Sequence, residues 1–483
     1  MTAFPNINPG QLYIGGGWRP ASEDAVRNVH DPATQEVYGT ISQATDADIE
    51  TALDSAQMGL AIWRNTDAWT RSATIRRIAT ILREWAPKSA QVMTAEQGKP
   101  LREAEAEWLA TADQFDWYAD EARRIYGRTV DGHSINNRII VRREPIGIVA
   151  AFAAWNFPAL LPARKMAPAL AAGCSVIVRP AEEAPFSTLL LAAACHEAGI
   201  PAGVVTMITG QSSQISEKLI GSGVVRKVSL TGSVPVGRIL LHLAAENITE
   251  VSMELGGHAP VLVFPDADIA GAAAACVASK FRNAGQVCAS PSRFIIHESV
   301  RDEFTQHFVA LTRRLRVGDG RDPETDVGPL TNLRRIEEAE EMISDALAGG
   351  AEVAAGGFRD RSFGRGFYFQ PTVLANVDPN RKIMNEEPFA PVAPITTFDS
   401  LERGLELANA TKFGLASYVW TNSLKTAFLA SEGIEAGMVG INNMAVATAE
   451  SPFGGVKHSG YGREGGSEGI LDYTVVKSTI ITL

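Results

Sequence analysis

Residues 281–290 read Phe-Arg-Asn-Ala-Gly-Gln-Val-Cys-Ala-Ser. A thiol set after an amide, a glycine and a second amide is placed to be presented rather than packed. The thiolate is the nucleophile of acyl chemistry. A free cysteine titrates near about 8.5, so a working site must favour ionisation. Cys174, Cys195 and Cys276 lie in Ala-, Leu- and Val-rich stretches and read as small buried hydrophobes. Alone, Cys288 shares that bland reading. Two further residues bear on it. Asn156, in Trp155-Asn156-Phe157-Pro158, carries an amide able to stabilise an oxyanion; it is equally an ordinary helix N-cap. Glu254, in Glu254-Leu255-Gly256-Gly257, is placed to reach a cleft as a general base on water. Its alternative is a solvated carboxylate in a loop.

These residues need elements to hold them. Residues 44–63 and 69–97 carry apolar side chains at helical spacing, and Gly98-Lys99-Pro100 stops the second run. From residue 145 strands and helices alternate. Strands are expected at 147–152, 175–178, 204–208 and 227–230, and helices at 158–172, 185–198, 213–222 and 236–245. A second series opens at 259–263, after Gly256-Gly257. That alternation signals parallel α/β sheets, two series imply two α/β domains, and the chain breaks near 256. Residues 136–143 and 473–483 read as strands without a helix after them, so the last is expected to pair outside its own sheet. On this layout Asn156, Glu182 and Glu254 all follow strand ends, where ligands sit in such sheets.

Other runs are weaker singly. Thr231-Gly232-Ser233 joins a strand to a helix whose N-terminus attracts phosphate. It is not Gly-x-Gly-x-x-Gly, and a plain connection fits as well. Glu182, in Arg179-Pro180-Ala181-Glu182, is able to accept hydrogen bonds from a ribose, or to sit in a turn. Glu386-Glu387-Pro388-Phe389 and Pro452-Phe453-Gly454-Gly455-Val456-Lys457 are, taken singly, charged loops.

Composition excludes more than it assigns. The chain has 483 residues, 45% hydrophobic and 20% charged, with 44 Lys plus Arg against 55 Asp plus Glu. The net charge of -11 and the absence of a basic cluster argue against nucleic acid. The most apolar stretch, 147–161, is interrupted by Asn156 and Pro158, so no membrane span is expected. Four cysteines without paired spacing argue against disulfides or a metal site. The run Met-Thr-Ala-Phe-Pro-Asn has neither a basic nor an apolar region, so no leader and a cytoplasmic setting are expected.

Together and in this order, WNFP, TGS, ELGG, GQVC, EEPF and PFGG resemble the aldehyde dehydrogenase superfamily, over about 13–478. The resemblance implies a Rossmann-like NAD-binding domain (1–125 and 145–256), an α/β catalytic domain (257–455) and a β-strand oligomerisation arm (126–144 and 456–483). A homodimer or homotetramer follows from it. It makes Cys288 the nucleophile, Asn156 the oxyanion donor and Glu254 the base, with Lys165 supporting Glu254. The coenzyme-A-acylating branch lacks that glutamate, so hydrolysis is the expected second half-reaction. Trp155, Arg179, Glu182, Gly232, Ser233, Leu255, Glu387 and Phe389 become the dinucleotide contacts. A carboxylate at 182 repels a 2′-phosphate, so NAD is favoured, with NADP possible. Arg179 stands where lysine is usual, Ala390 where glycine is usual and His258 where lysine is common.

Two arginines bear on the substrate. Asn156, Leu160 and Arg164 are spaced for one helix face, which should line the substrate tunnel with Phe453. Arg282 lies six residues before Cys288. Succinate semialdehyde dehydrogenases look similar at both arginines. Two guanidinium groups suit capture of a carboxylate at the far end of an aldehyde; the alternative is that each pairs with a protein carboxylate. Glutarate or ketoacid semialdehydes and aromatic aldehydes remain open. A cysteine acyl hydrolase would need a histidine base, for which His258 and His297 are the nearest candidates. Ser290 occupies the place of a second cysteine, so no local disulfide is expected.

Overall fold

The computed structural model describes Phe4 and residues 10–483. The opening run, on which the absence of a leader was argued, lies outside the described residues apart from Phe4. Strands Ile148–Phe152, Ser175–Arg179, Val205–Met207, Val225–Thr231 and Glu250–Glu254 run parallel as the centre of an eight-stranded sheet. The first two are buried along their whole length, as parallel strands covered by helices on both faces must be. Leu12–Ile14 and Gly17–Arg19 close one edge antiparallel, and Gly460–Tyr461 closes the other. The segment 456–483, expected entirely as arm, therefore first adds a short strand to this sheet.

A seven-stranded sheet follows, in the order Glu352–Ala355, Thr372–Ala375, Val392–Phe398, Pro291–His297, Ala259–Val263, Ala416–Trp420 and Met438–Ile441. All its pairings are parallel except the first. Two hydrophobic clusters pack on the first sheet and two on the second. Thr474–Thr482 pairs with Asn137–Pro145, which pairs with Arg128–Asp131, in a separate three-stranded sheet. The orphan strands of the sequence thus find each other. A hairpin of Val26–His30 and Val37–Ser42 stands apart from all three sheets.

Register decides where chemistry can occur. Thr231 is level with Glu254, Leu230 with Phe152, and Phe152 with Arg179. The carboxyl ends of four adjacent strands open on one rim. No helix among the described residues is long and apolar enough to cross a membrane.

Candidate active site

Helix Ile269–Phe281 ends at Arg282, and the chain then bends hard. Asn283 (φ 49), Ala284 (φ 53) and Gly285 (φ 74) are all left-handed. Such backbone costs on the order of 1–3 kcal/mol per non-glycine residue and persists only where its surroundings hold it. Here Asn283 Nδ2 donates to Asn156 O at 2.9 Å and Gln286 O at 3.2 Å, while its Oδ1 accepts from Gln97 at 2.9 Å. Its backbone N–H donates to Glu103 at 2.8 Å. The bend delivers Cys288, half-buried, just before strand Pro291–His297. Gly256 and Gly257 make room for this loop and its neighbour. A Cβ on Gly257 would lie 2.3 Å from Cys288 O, and one on Gly256 2.6 Å from Glu387 Oε2.

Asn156 is buried, and its Nδ2 donates to Gln286 O, two residues before the thiol, at 3.0 Å. Its carbonyl accepts from Lys99 Nζ at 2.8 Å. The helix begins at Leu160 rather than Pro158, so Asn156 precedes it. The shared helix face therefore holds for Leu160 and Arg164 but not for Asn156. Nor is Asn156 an N-cap. The first amides are met by Glu107, whose Oε1 accepts from Ala159 N at 2.9 Å and Leu160 N at 3.1 Å.

Glu254 ends its strand and is buried with neither carboxylate oxygen hydrogen-bonded. The solvated-loop reading fails. Burial, with Glu464 beside it, pushes its carboxyl well above the usual range; Lys165, Arg164 and Arg463 pull the other way. Lys165 does not hydrogen-bond Glu254. It ion-pairs with Glu464 and donates to Thr231 Oγ1 at 2.7 Å. Its support for Glu254 is electrostatic and shared with Glu464. The Cys288 thiol is pushed up to about 12 by burial and by Glu387 and Glu254, against Arg164. Cys288, Glu254, Glu387 and Arg164 thus share one electrostatic neighbourhood.

Arg164 is buried, yet it has no carboxylate partner. Nη2 donates to Ala447 O at 2.9 Å, the guanidinium lies 4.6 Å from the Phe453 ring centroid, and buried Nη1 has no partner. Arg282 is exposed and sits 5.1 Å from the Phe157 ring centroid without an ion pair. Phe157 belongs to a small apolar cluster with Ala153 and Leu161, against which Leu160 and Val287 pack. His258 is unavailable as a base for the thiol. It is buried between Ser292 Oγ (2.8 Å) and Ile383 O (3.1 Å), and burial drives it well below its ordinary value.

A model of the aldehyde dehydrogenase family matches residues 18–479. The chain belongs to this family. It is 41% identical to a glutarate-semialdehyde dehydrogenase of Pseudomonas putida, over 98% of each chain. It is 43% identical to a 3-sulfolactaldehyde dehydrogenase of the same species, over 98% of this chain and 97% of that one. A solved succinate-semialdehyde dehydrogenase from Burkholderia pseudomallei superposes with a TM-score of 0.96, at 42% identity over 98% of each chain.

Of the residues expected to contact a dinucleotide, Ser233 is the exposed N-cap of helix Val234–Glu246, whose first amides have no side-chain cap and whose N-terminus favours anions. Gly232 precedes it, and Leu255 lies in the apolar cluster beneath that helix with Leu230 and Leu240. Trp155 and Phe389 meet edge to face at 5.6 Å, and Glu387 Oε1 accepts from Gly257 N at 2.9 Å. Glu182 is held by Arg179, by Arg27 of the N-terminal hairpin and by Ser212 at 3.2 Å. Ala390 is buried and not left-handed, so its backbone does not require glycine. All four cysteines are free, and no cluster of metal-ligating side chains occurs among the described residues.

Sequence reasoning missed several members of the site. Glu464 sits among glycines in Gly460-Tyr-Gly-Arg-Glu464, a signal comparable to that of Glu254. Lys99 lay inside a run read only as a helix stop. Gln97 and Glu107 carried no signal short of knowing which loops meet.

Proposed function

We propose that this aldehyde dehydrogenase oxidises an aldehyde bearing a distant anionic group, with succinate semialdehyde the leading candidate and glutarate semialdehyde next. The observation that carries this reading is the Arg164 guanidinium, buried near Cys288 with one nitrogen unpaired and no carboxylate in ion-pair contact among the described residues. A buried cation is costly without a counter-charge, and the substrate would supply it. Arg282, against the Phe157 ring, would give a second anchor. The names of the relatives add support, since two of them act on semialdehydes with a carboxylate and one on an aldehyde with a sulfonate.

In this reading Cys288 attacks the aldehyde carbon, and the carbonyl oxygen takes the negative charge beside the Asn156 amide and the Cys288 backbone N–H. The residues around Ser233, Glu182, Trp155, Phe389 and Glu387 would hold NAD or NADP, which would supply the hydride acceptor when bound. The thioester left on Cys288 is hydrolysed by water that Glu254 deprotonates, releasing the acid. Glu254 must be ionised to do this, and Lys165 and Arg164 are the charges that favour its ionised form. Glu182 favours NAD over NADP.

The test is a substrate panel followed by nicotinamide absorbance with NAD and with NADP. Succinate semialdehyde, glutarate semialdehyde and 3-sulfolactaldehyde are compared with hexanal and benzaldehyde. In the Arg164→Leu variant, KM for the anionic aldehydes should rise about 10–100-fold, the value of one charge-assisted hydrogen bond, with hexanal little changed. An equal effect on both classes would sink the anion-anchor reading while leaving aldehyde oxidation intact.

A further inference from the structure

Away from the active site, a cavity of about 420 Å³ opens between the ends of the N-terminal helices and the base of the arm. Its walls hold Arg64, Arg71, Arg123, Arg142, Arg143 and Lys477 against a single carboxylate, Glu144. That is a strongly cationic cleft in a chain whose net charge is -11. Arg64 caps the end of helix Asp46–Trp63, Arg71 lies in the first turn of helix Ala68–Gln97, and Arg123 follows helix Leu101–Glu121. The remaining cations come from arm strands Asn137–Pro145 and Thr474–Thr482.

Few of these charges are neutralised. Lys477 pairs with Glu144, and Arg123 pairs with Asp120 and lies 4.9 Å from the Trp69 ring centroid. Arg143 donates to Thr474 Oγ1 at 3.0 Å, a neutral acceptor. Arg64 and Arg142 make no side-chain hydrogen bond or ion pair among the described residues. Arg71 is the most telling. Its Nε donates to Ala171 O at 3.1 Å and its Nη1 to Thr66 O at 2.5 Å, and Nη2 is unused. Ala171 lies at a helix C-terminus, so the carbonyls offset part of the charge. Asp67, whose charge acts on Arg71, accepts instead from Trp69 N and Thr70 N at the start of its own helix. Burial pulls Arg71 below its ordinary value. Five guanidinium groups around one cavity repel each other unless a counter-charge sits among them, and guanidinium forks match oxyanions bidentately. The volume is in the range of small-ligand sites.

We propose that this cleft binds a small multivalent oxyanion, a phosphate- or polycarboxylate-bearing metabolite, which ties the base of the arm to the N-terminal helices. The site is independent of the aldehyde chemistry.

The test uses the full chain saturated with NAD, so that the dinucleotide phosphate contacts are filled. Thermal unfolding is followed against citrate and against inorganic pyrophosphate, with chloride at matched ionic strength as reference. The expected result is a saturable rise in Tm with at least one of them. In the Arg64→Ser/Arg142→Ser variant the half-saturating concentration should rise about tenfold or more, as loss of charged contacts implies, while the aldehyde-dependent rate stays unchanged. Arg64→Lys/Arg142→Lys should restore part of the response. A response to citrate alone identifies polycarboxylate chemistry, and one to pyrophosphate alone identifies phosphate. An equal response in parent and serine variant, or none beyond chloride in the parent, would overturn the proposal. If the parent shows no anion response and the serine variant loses mass in light scattering, a carboxylate of a second copy fills the cleft and the small-anion site is wrong.

Discussion

A thiol pushed up to about 12 is almost wholly protonated at neutral pH, so the resting site stores its nucleophile rather than exposing it. Part of that protection is the negative charge of Glu254 and Glu387, and Arg164 opposes it. Two outcomes follow at the scale of single residues. The thiolate fraction grows about tenfold per pH unit below the thiol's titration point, and the Glu254 carboxyl, also raised, ionises in the same direction. Therefore kcat/KM, set by the thiolate, and kcat, which also needs ionised Glu254, should both rise from about pH 6 to 9, measured as initial rates; flat or falling profiles would contradict the assigned electrostatics. In the Glu254→Gln variant the nearby negative charge is gone. Iodoacetamide should then alkylate Cys288 faster at a given pH, while steady-state turnover falls by about 10²–10⁴. The first-turnover burst of nicotinamide reduction should survive. Loss of the burst together with turnover would place Glu254 before, not after, the thioester.

At the scale of elements, what was readable was whatever repeats with a period. The run 259–263 is the observed strand Ala259–Val263, and 473–483 differs from Thr474–Thr482 only at its ends, because apolar periodicity is local. Cys288, Asn156 and Glu254 could be singled out because each stands beside glycine, amide or proline signals, Asn156 and Glu254 at or after a strand end and Cys288 just before a strand. Helix Leu160–Ala172 shows the limit. Its start is set by Glu107, more than fifty positions earlier, not by the Asn156–Pro158 run that invited an earlier start. Lys165 likewise meets Glu464 rather than Glu254, because Gly460–Tyr461 pairs beside Glu254's strand and brings residue 464 with it. The hairpin Val26–His30 holds the same lesson for the dinucleotide. Arg27 reaches Glu182, so the carboxylate that disfavours a 2′-phosphate is ringed by Arg27, Arg179 and Ser212, all suited to bind one. Replacing Glu182 by Ser should therefore improve kcat/KM with NADP by about tenfold or more, the value of one charged contact, and weaken NAD. Adding Arg27→Ala should reverse most of that gain. If Glu182→Ser left the NADP rate unchanged, the basic ring would not face the ribose.

At the scale of the whole molecule, the arm is incomplete in a single chain. Thr474–Thr482 is hydrogen-bonded along one edge only, to Asn137–Pro145. Val476 is 58% exposed, Ile480 65% and Leu483 79%. A long apolar edge strand left bare invites pairing with another chain, and a three-stranded sheet projecting from the body has little core of its own. A second copy of the chain covering it is the expected state, as a homodimer or homotetramer, and light scattering on the full chain checks this directly. Truncation after Tyr473 keeps that residue, which is buried and accepts from Ile146 N at 3.0 Å, and removes the strand. The mass should fall to that of a smaller assembly. Catalysis should fall with it, because the arm is the continuation of the site. From Phe453 the chain passes through Gly460–Tyr461, paired with the strand of Glu254, then Glu464, bonded to Lys165, then helix Glu468–Leu471, and so into Thr474. An arm clamped by a partner steadies Glu464 and through it Lys165, a cation that favours the ionised form of Glu254. The truncated chain should thus lose kcat more than it gains in KM. A monomer with undiminished kcat would mean that the arm serves assembly alone.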